Sequence, residues 1–250
     1  ILPPTRTVDL TSDVTGQPLK PDYSVGYEYS DCWVEDARLV DLSAPPGASG
    51  TRTAAVRVEG DTLVELGFAD VGALLATPDW QTAAATDGPQ HAAGGVTYAP
   101  VVPHPSKVVC VGLNYRNHIQ EMGRDLPAYP TVFCKFADCL IGATDDIVRP
   151  PETEEFDWEV ELAVVIGRRA RYVSLEDAAA HVAGYALHND YSERQDQLER
   201  GGQWSKGKSQ DTFAPLGPFL ATPDEMGDVK ALPMWLTVNG KTRQKSSTGQ

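Results

Sequence analysis

The stretch from Phe156 to Ile166, FDWEVELAVVI, constrains this chain most, because it reads as a strand that carries three carboxylates toward a core. Side chains alternate between the two faces of a strand. The even positions, Phe156, Trp158, Val160, Leu162, Val164 and Ile166, form an unbroken apolar face. The odd positions run Asp157, Glu159 and Glu161 and then turn apolar at Ala163 and Val165, so both faces are expected to be dry from Leu162 onward. A solvated edge strand would keep its odd face polar to the end, which places Glu159 and Glu161 at the mouth of a core. Two neighbouring carboxylates there repel each other and resist desolvation unless a proton or a cation intervenes. A divalent metal is the economical answer, against the plainer alternative of acids that merely meet water or an arginine.

The chain downstream supports the metal. Ser174 to Ala183 has a capping-box start (Ser174, Asp177), an Ala-rich middle and Gly184 at its stop, and is expected to be a short helix. Tyr185 to Asn189 reads as a strand that delivers Asp190 to its end. A second helix is expected at once, with Ser192 as cap, Gln195 at the capping-box position and Gly201-Gly202 as terminator. Strand, helix and strand would thus set Asp190 beside the first two acids.

Composition narrows the partners. The chain has 250 residues and a net charge of −14, which argues against nucleic acid or an anionic membrane, since phosphate binding needs a basic surface. Cys32, Cys110, Cys134 and Cys139 form no CxxC pair and have no His at zinc-ligand spacing, so they read as reduced thiols of a cytoplasmic protein. No run of eighteen apolar residues and no secretory leader pattern occurs, although the chain begins without Met, which suggests a preceding piece. Residues 1–50 are expected to be a Pro-rich arm or linker, 51–104 a small β-rich domain with two strands about Gly60-Asp61 and a helix-like VGALLAT, and 105–250 the main domain.

That third region opens with VVCVGL, read as a buried strand, and NYRNHIQEMG, read as a short helix stopped by Gly123. His118 and Glu121 are three apart and share a helix face. A carboxylate beside an imidazole orients the ring and raises its basicity, as a general base acting on water requires; an ordinary surface pair is the alternative. Tyr129 to Lys135 reads as an extended segment leading to Lys135. Further on, GGQWSKGKSQDTFAPLGP is a Gly-rich loop with Lys206 and Lys208, either solvated or aimed at an anionic substrate. Arg194 and Gln197, again three apart, could add donors from the same side.

Four stretches in order, VGLNYRNHIQEMG, DWEVELAVVIG, AGYALHNDYSERQ and GGQWSKGKSQDTFAPLGP, resemble the fumarylacetoacetate hydrolase superfamily, in its acylpyruvase and 2-hydroxyhepta-2,4-diene-1,7-dioate isomerase-like branch. The resemblance covers roughly residues 105–250. It implies an α+β, β-rich fold, a mixed β-roll with layered sheets and short helices, and a homodimer. It implies Glu159, Glu161 and Asp190 as ligands of Mg2+ or Mn2+, metals that suit hard oxygen donors. It implies His118 and Glu121 as a water-activating dyad on a mobile helix, Lys208 as a catalytic, substrate-contacting lysine, and Arg194, Gln197 and Lys135 as substrate contacts. Tyr191 stands where a small aliphatic residue is usual and Asn117 where Asp is frequent, which leaves substrate identity open. Family members continue past the position of Gln250 with a segment that helps close the pocket, so the resemblance implies a longer catalytic domain.

The implied chemistry is that of a small-molecule 2-oxo acid whose enolate the metal stabilises. Hydrolysis of a C–C bond in an acylpyruvate is the favoured reaction because the dyad is present. Oxaloacetate decarboxylation and tautomerisation or isomerisation of unsaturated 2-oxo diacids are the alternatives. A non-catalytic metal-binding scaffold is the alternative from another class, and His118, Glu121 and Lys208 together weigh against it.

Overall fold

The computed structural model describes residues 52–249 with their side chains, and the backbone of Thr7–Val8, Tyr23–Ser24, Trp33–Val40 and Thr51. Most of the stretch expected to be an arm lies outside the described residues. Its strand Trp33–Val40 pairs antiparallel with Thr51–Glu59 inside a five-stranded sheet. The order across that sheet is Gln90–Ala92, Thr62–Glu65, Thr51–Glu59, Trp33–Val40 and Thr97–Tyr98. The turn expected at Gly60-Asp61 is present, with Gly60 at φ +60°, a conformation that costs glycine little.

The helix-like VGALLAT becomes Val71–Leu75, opened by Asp70, whose carboxylate accepts from the Ala73 N–H at 2.7 Å. Its buried Val71, Leu74 and Leu75 pack with Ala55, Trp80 and Val101 and also with Ala183, Ala186, Leu216 and Leu220. One apolar core therefore joins this sheet to the strands that carry the acids.

The strand expected from Phe156 to Ile166 is broken at Trp158-Glu159: Phe156–Asp157 pairs with Ser192–Glu193, and Val160–Ile166 pairs antiparallel with Val182–Asn189, from Val160 opposite Asn189 to Ile166 opposite Val182, with a bulge after Val165. Its even face behaves as expected only at the start. Phe156, Trp158 and Val160 pack around Ile147, Tyr191, Phe213 and Leu236, and Leu162 packs against Ala221, Met226 and Leu232. Val164 and Ile166 are 50% and 56% exposed, so the expected dryness of both faces is corrected. The odd residues Ala163 and Val165 take the main core instead. A two-stranded ribbon cannot bury both faces without a second layer on each side.

Two expected helices also change. Ser174 does cap, since its hydroxyl accepts from the Asp177 N–H at 3.1 Å and donates to the Asp177 carboxylate at 2.7 Å. The run behind it makes only a 3-10 turn, Ala178–His181, because Val182 and the residues after it are taken into the strand. So short a segment has no helical stability of its own to oppose that pairing. The second helix is Arg194–Leu198, capped by Glu193 rather than Ser192. Ser192 is strand residue paired with Asp157, and its hydroxyl donates to the Asp190 carbonyl at 3.1 Å. The helix ends at its cap Glu199, before the expected terminator Gly201-Gly202, whose two residues follow at positive φ.

The strand Val108–Gly112 forms but is not buried throughout: Cys110 is buried, whereas Val109 and Val111 are exposed. Leu140–Ile141 and Ala214–Pro215 pair parallel in a two-stranded sheet of their own, while the other described strand pairs run antiparallel. Among the described residues no helix is long and apolar enough to cross a membrane.

Candidate metal centre

One backbone hydrogen bond sets the centre. Glu159 immediately precedes the Val160–Ile166 strand and Asp190 immediately follows Val182–Asn189, and the Asp190 N–H donates to the Glu159 carbonyl at 2.9 Å. Glu161 lies one pleat further, opposite His188. Carboxylate oxygens from Glu159, Glu161 and Asp190 fall within 4.8 Å of one another. The three acids expected to meet therefore do meet.

Two lysines arrive from a second ribbon. Val108–Gly112 pairs with Thr131–Lys135, which ends at the buried Lys135. The short helix Ser205–Lys208 is tied to that strand by the Ser205 hydroxyl, which donates to the Cys134 carbonyl at 2.7 Å. Trp204 packs on Phe133 and lies so close to Gly112 that a Cβ there would meet its ring at 2.4 Å.

Lys208 Nζ donates to Glu159 Oε2 at 2.8 Å and to Asp190 Oδ2 at 2.7 Å, and sits 5.2 Å from the centre of the Phe133 ring. Lys135 Nζ donates to Asp190 Oδ1 at 2.6 Å, to the Tyr191 carbonyl at 3.3 Å and to the Lys208 carbonyl. Arg194 joins from the other side, with Nη2 2.6 Å from Glu159 Oε1 and 2.6 Å from Asp157 Oδ2, and Nη1 2.9 Å from Gln197 Oε1. Charges thus alternate along Asp157, Arg194, Glu159, Lys208, Asp190 and Lys135, a chain that sums to zero.

Glu161 stands outside that chain. Burial first, then Asp190 and Glu159, push its carboxyl up to about 8. Asp190 is also driven up by burial, but Lys135 and Lys208 outweigh it and hold the group below the ordinary carboxylate range. Burial alone would lower Lys208; Asp190 and Glu159 reverse that and keep its ammonium charged. The residues present fit a divalent cation: three converging hard oxygen donors, one of them outside the chain of ion pairs, and no thiolate among them. The nearby Cys110 thiol is pushed far up by burial and by Asp190 and Glu161, which makes it a poor ligand.

His118 and Glu121 lie on the helix Arg116–Glu121, which is buried through Ile119. Their side chains are 66% and 77% exposed, with His118 Nδ1 3.8 Å from Glu121 Oε2, beyond hydrogen-bonding distance. Among the described residues no hydrogen bond or ion pair joins this pair to the carboxylates. Sequence reasoning missed two residues. His188 is fully buried, and its Nδ1 donates to the Pro215 carbonyl at 2.9 Å, which leaves the buried Nε2 without a protein partner. Burial, with Lys135 next, pushes His188 down to about 4, so the ring is neutral. Glu193 is the other, a buried cap that accepts from Asp196 N at 3.1 Å and Glu155 N at 3.1 Å. Its signal was available, since an acid directly before the helix can accept from the N–H three residues on, here that of Asp196.

Residues 107–250 match the family model of the fumarylacetoacetate (FAA) hydrolase C-terminal domain. The chain belongs to the fumarylacetoacetate hydrolase family. The mitochondrial oxaloacetate tautomerase FAHD2A of Bos taurus is 49% identical over 156 residues, 62% of this chain and 50% of that protein. The 2,4-didehydro-3-deoxy-L-rhamnonate hydrolase of Sphingomonas is 48% identical over 155 residues, 62% of this chain and 54% of that protein. The chain spans about half the length of the curated relatives it matches. Among solved structures, the 2-hydroxyhepta-2,4-diene-1,7-dioate isomerase of Mycobacterium marinum aligns with a TM-score of 0.66 at 28% identity, over 88% of this chain and 76% of that one.

Proposed function

We propose that this family member moves a proton between carbon and oxygen of a 2-oxo acid, the tautomerisation of a 2-oxo diacid such as oxaloacetate, with Mg2+ or Mn2+ held by Glu159, Glu161 and Asp190. The observation that carries the reading is the convergence of the Glu159, Glu161 and Asp190 carboxylates within 4.8 Å, with Glu161 outside the chain of ion pairs that holds the other two. A bound divalent cation would polarise the keto group and stabilise the enolate. Lys208 holds the Glu159 and Asp190 carboxylates in place, and its positive charge lies beside the position an anionic substrate would take. His118, open to water, passes the proton between substrate carbon and solvent, with Glu121 orienting its ring when the helix closes.

The dyad led the sequence reading to favour C–C hydrolysis. Likeness to an oxaloacetate tautomerase and to an isomerase supports proton transfer better. Hydrolysis remains the second reading, supported by the likeness to the Sphingomonas hydrolase. We further propose a homodimer, to be checked by light scattering.

The test follows the ultraviolet absorbance of enol oxaloacetate with Mg2+, then with EDTA, beside pyruvate release from acetylpyruvate. Accelerated loss of the enol that EDTA abolishes is the expected result, and His118→Ala should slow it while leaving Mn2+ affinity unchanged. Pyruvate release without enol acceleration would overturn tautomerisation in favour of hydrolysis. Enol acceleration indifferent to EDTA would overturn the metal.

A further inference from the structure

The ion pairs around Glu159 continue past the carboxylates to Asp157, an acid that the metal reading leaves without a task. Arg194 Nε and Nη2 both donate to Asp157 Oδ2, at 2.9 Å and 2.6 Å. The same Nη2 lies 2.6 Å from Glu159 Oε1, and Nη1 donates to Gln197 Oε1 at 2.9 Å. A guanidinium has five N–H donors in a rigid fork. Four such contacts leave about one N–H for any other molecule, so the group expected to touch substrate is largely spent on the protein.

Asp157 is itself fixed. Its Oδ1 accepts from the Trp158 N–H at 2.9 Å, and its backbone pairs with Ser192 while the Arg194 N–H donates to the Glu155 carbonyl at 3.0 Å. Backbone pairing therefore brings acid and arginine together before any side chain chooses a rotamer. Glu159 needs such help, because it stands just outside the strand pairing with a side chain that is 27% exposed. Lys208 holds only its Oε2; the other oxygen is held by Arg194.

We infer that Asp157 is a positioning residue for the metal centre: it locks the Arg194 guanidinium, which in turn fixes the Glu159 carboxylate, while Asp157 touches neither cation nor substrate. The inference rests on the metal reading above. It also separates from a merely structural role, because Asp157 and Arg194 are 41% and 25% exposed and such a pair near the surface contributes little to folding. Outer partners of a ligand carboxylate typically change metal affinity by about 10–100-fold when removed.

The experiment titrates Mn2+ into the protein by electron paramagnetic resonance, for wild type, Asp157→Ala, the isosteric Asp157→Asn, Arg194→Met and the Asp157→Ala/Arg194→Met double variant. Metal-free melting temperatures are measured beside it. The expected result is Mn2+ affinity about 10-fold weaker in Asp157→Ala, a smaller loss in Asp157→Asn, and melting within about 2 °C of wild type. The double variant should bind no more weakly than Arg194→Met alone, since the two residues act as one unit. Wild-type affinity in Asp157→Ala would overturn the inference and leave the metal reading standing. Equal weakening by Asp157→Ala with and without Arg194 would overturn it as well, by showing a route that bypasses the arginine. Failure of the wild type to take up Mn2+ would overturn the metal reading itself, and with it this inference.

Discussion

Lys135→Met tests whether the centre is built on buried charge. Both members of the Lys135–Asp190 pair have fully buried side chains, 2.6 Å apart, and the same ammonium serves the Tyr191 and Lys208 carbonyls. Methionine fills most of the lysine's volume, so the loss is electrostatic rather than a cavity. Removing one partner of a buried pair costs about 3–5 kcal/mol, because the other charge stays behind in low dielectric. Asp190 keeps Lys208 at 2.7 Å, which sets the expectation at the lower end, about 3 kcal/mol. For a chain of this size that corresponds to a fall in melting temperature of roughly 6–12 °C. Urea unfolding in EDTA is the assay, with the exposed Lys206→Met as control, expected within about 0.5 kcal/mol of wild type. In an Asp190→Asn background the same substitution should cost at least about 1 kcal/mol less, since no stranded charge remains. A Lys135→Met cost no larger than the Lys206→Met control would refute the reasoning and mean that water reaches Asp190.

Gly112→Ala should destabilise by about 1–3 kcal/mol, because its Cβ would come 2.4 Å from the Trp204 ring that packs on Phe133; thermal melting reads it, and no change would mean that Trp204 is free to move. Glu65 gives a pH prediction away from the centre. Hydrogen bonding to Arg52 lowers its carboxyl despite the opposing effect of burial, with His91 assisting. A folded value below the unfolded one contributes stability that is present above the ordinary carboxylate value of 4.5 and is lost as pH falls through the folded value. Stability measured by urea unfolding should therefore fall less steeply below about pH 4.5 in Glu65→Gln than in wild type, and parallel curves would remove Glu65 from the acid limb.

The meeting of the three carboxylates was legible because strand alternation is a local signal: Glu159 and Glu161 share the odd face, and Tyr185 to Asn189 has strand residues enough to carry Asp190 to its end. What surrounds the triad was less so. Arg194 and Gln197 at helix spacing invited a role toward substrate, whereas the structure bonds them to each other and bonds Arg194 to Asp157 and Glu159. That outcome depends on Asp157 pairing with Ser192 across the chain, which no window of sequence contains. The helix expected from Ser174 failed for a similar reason: its cap was read correctly from neighbours, but its length was decided by distant strand pairing.

The same distinction explains how the centre divides its work. Both oxygens of Glu159 and both of Asp190 already accept from a cation, so these carboxylates are oriented before any metal or substrate arrives. Orientation made in advance costs nothing at the moment of binding. Among the described residues Glu161 accepts from no such cation; burial, Asp190 and Glu159 push its carboxyl up to about 8, so at neutral pH it holds a proton that a divalent cation would have to displace. A further positive side chain beside Glu161 would pair with its carboxylate and compete with a metal for it. In the proposed centre two carboxylates are therefore oriented beforehand by the alternating chain of charges, and the third, left outside that chain, exchanges its proton for the metal.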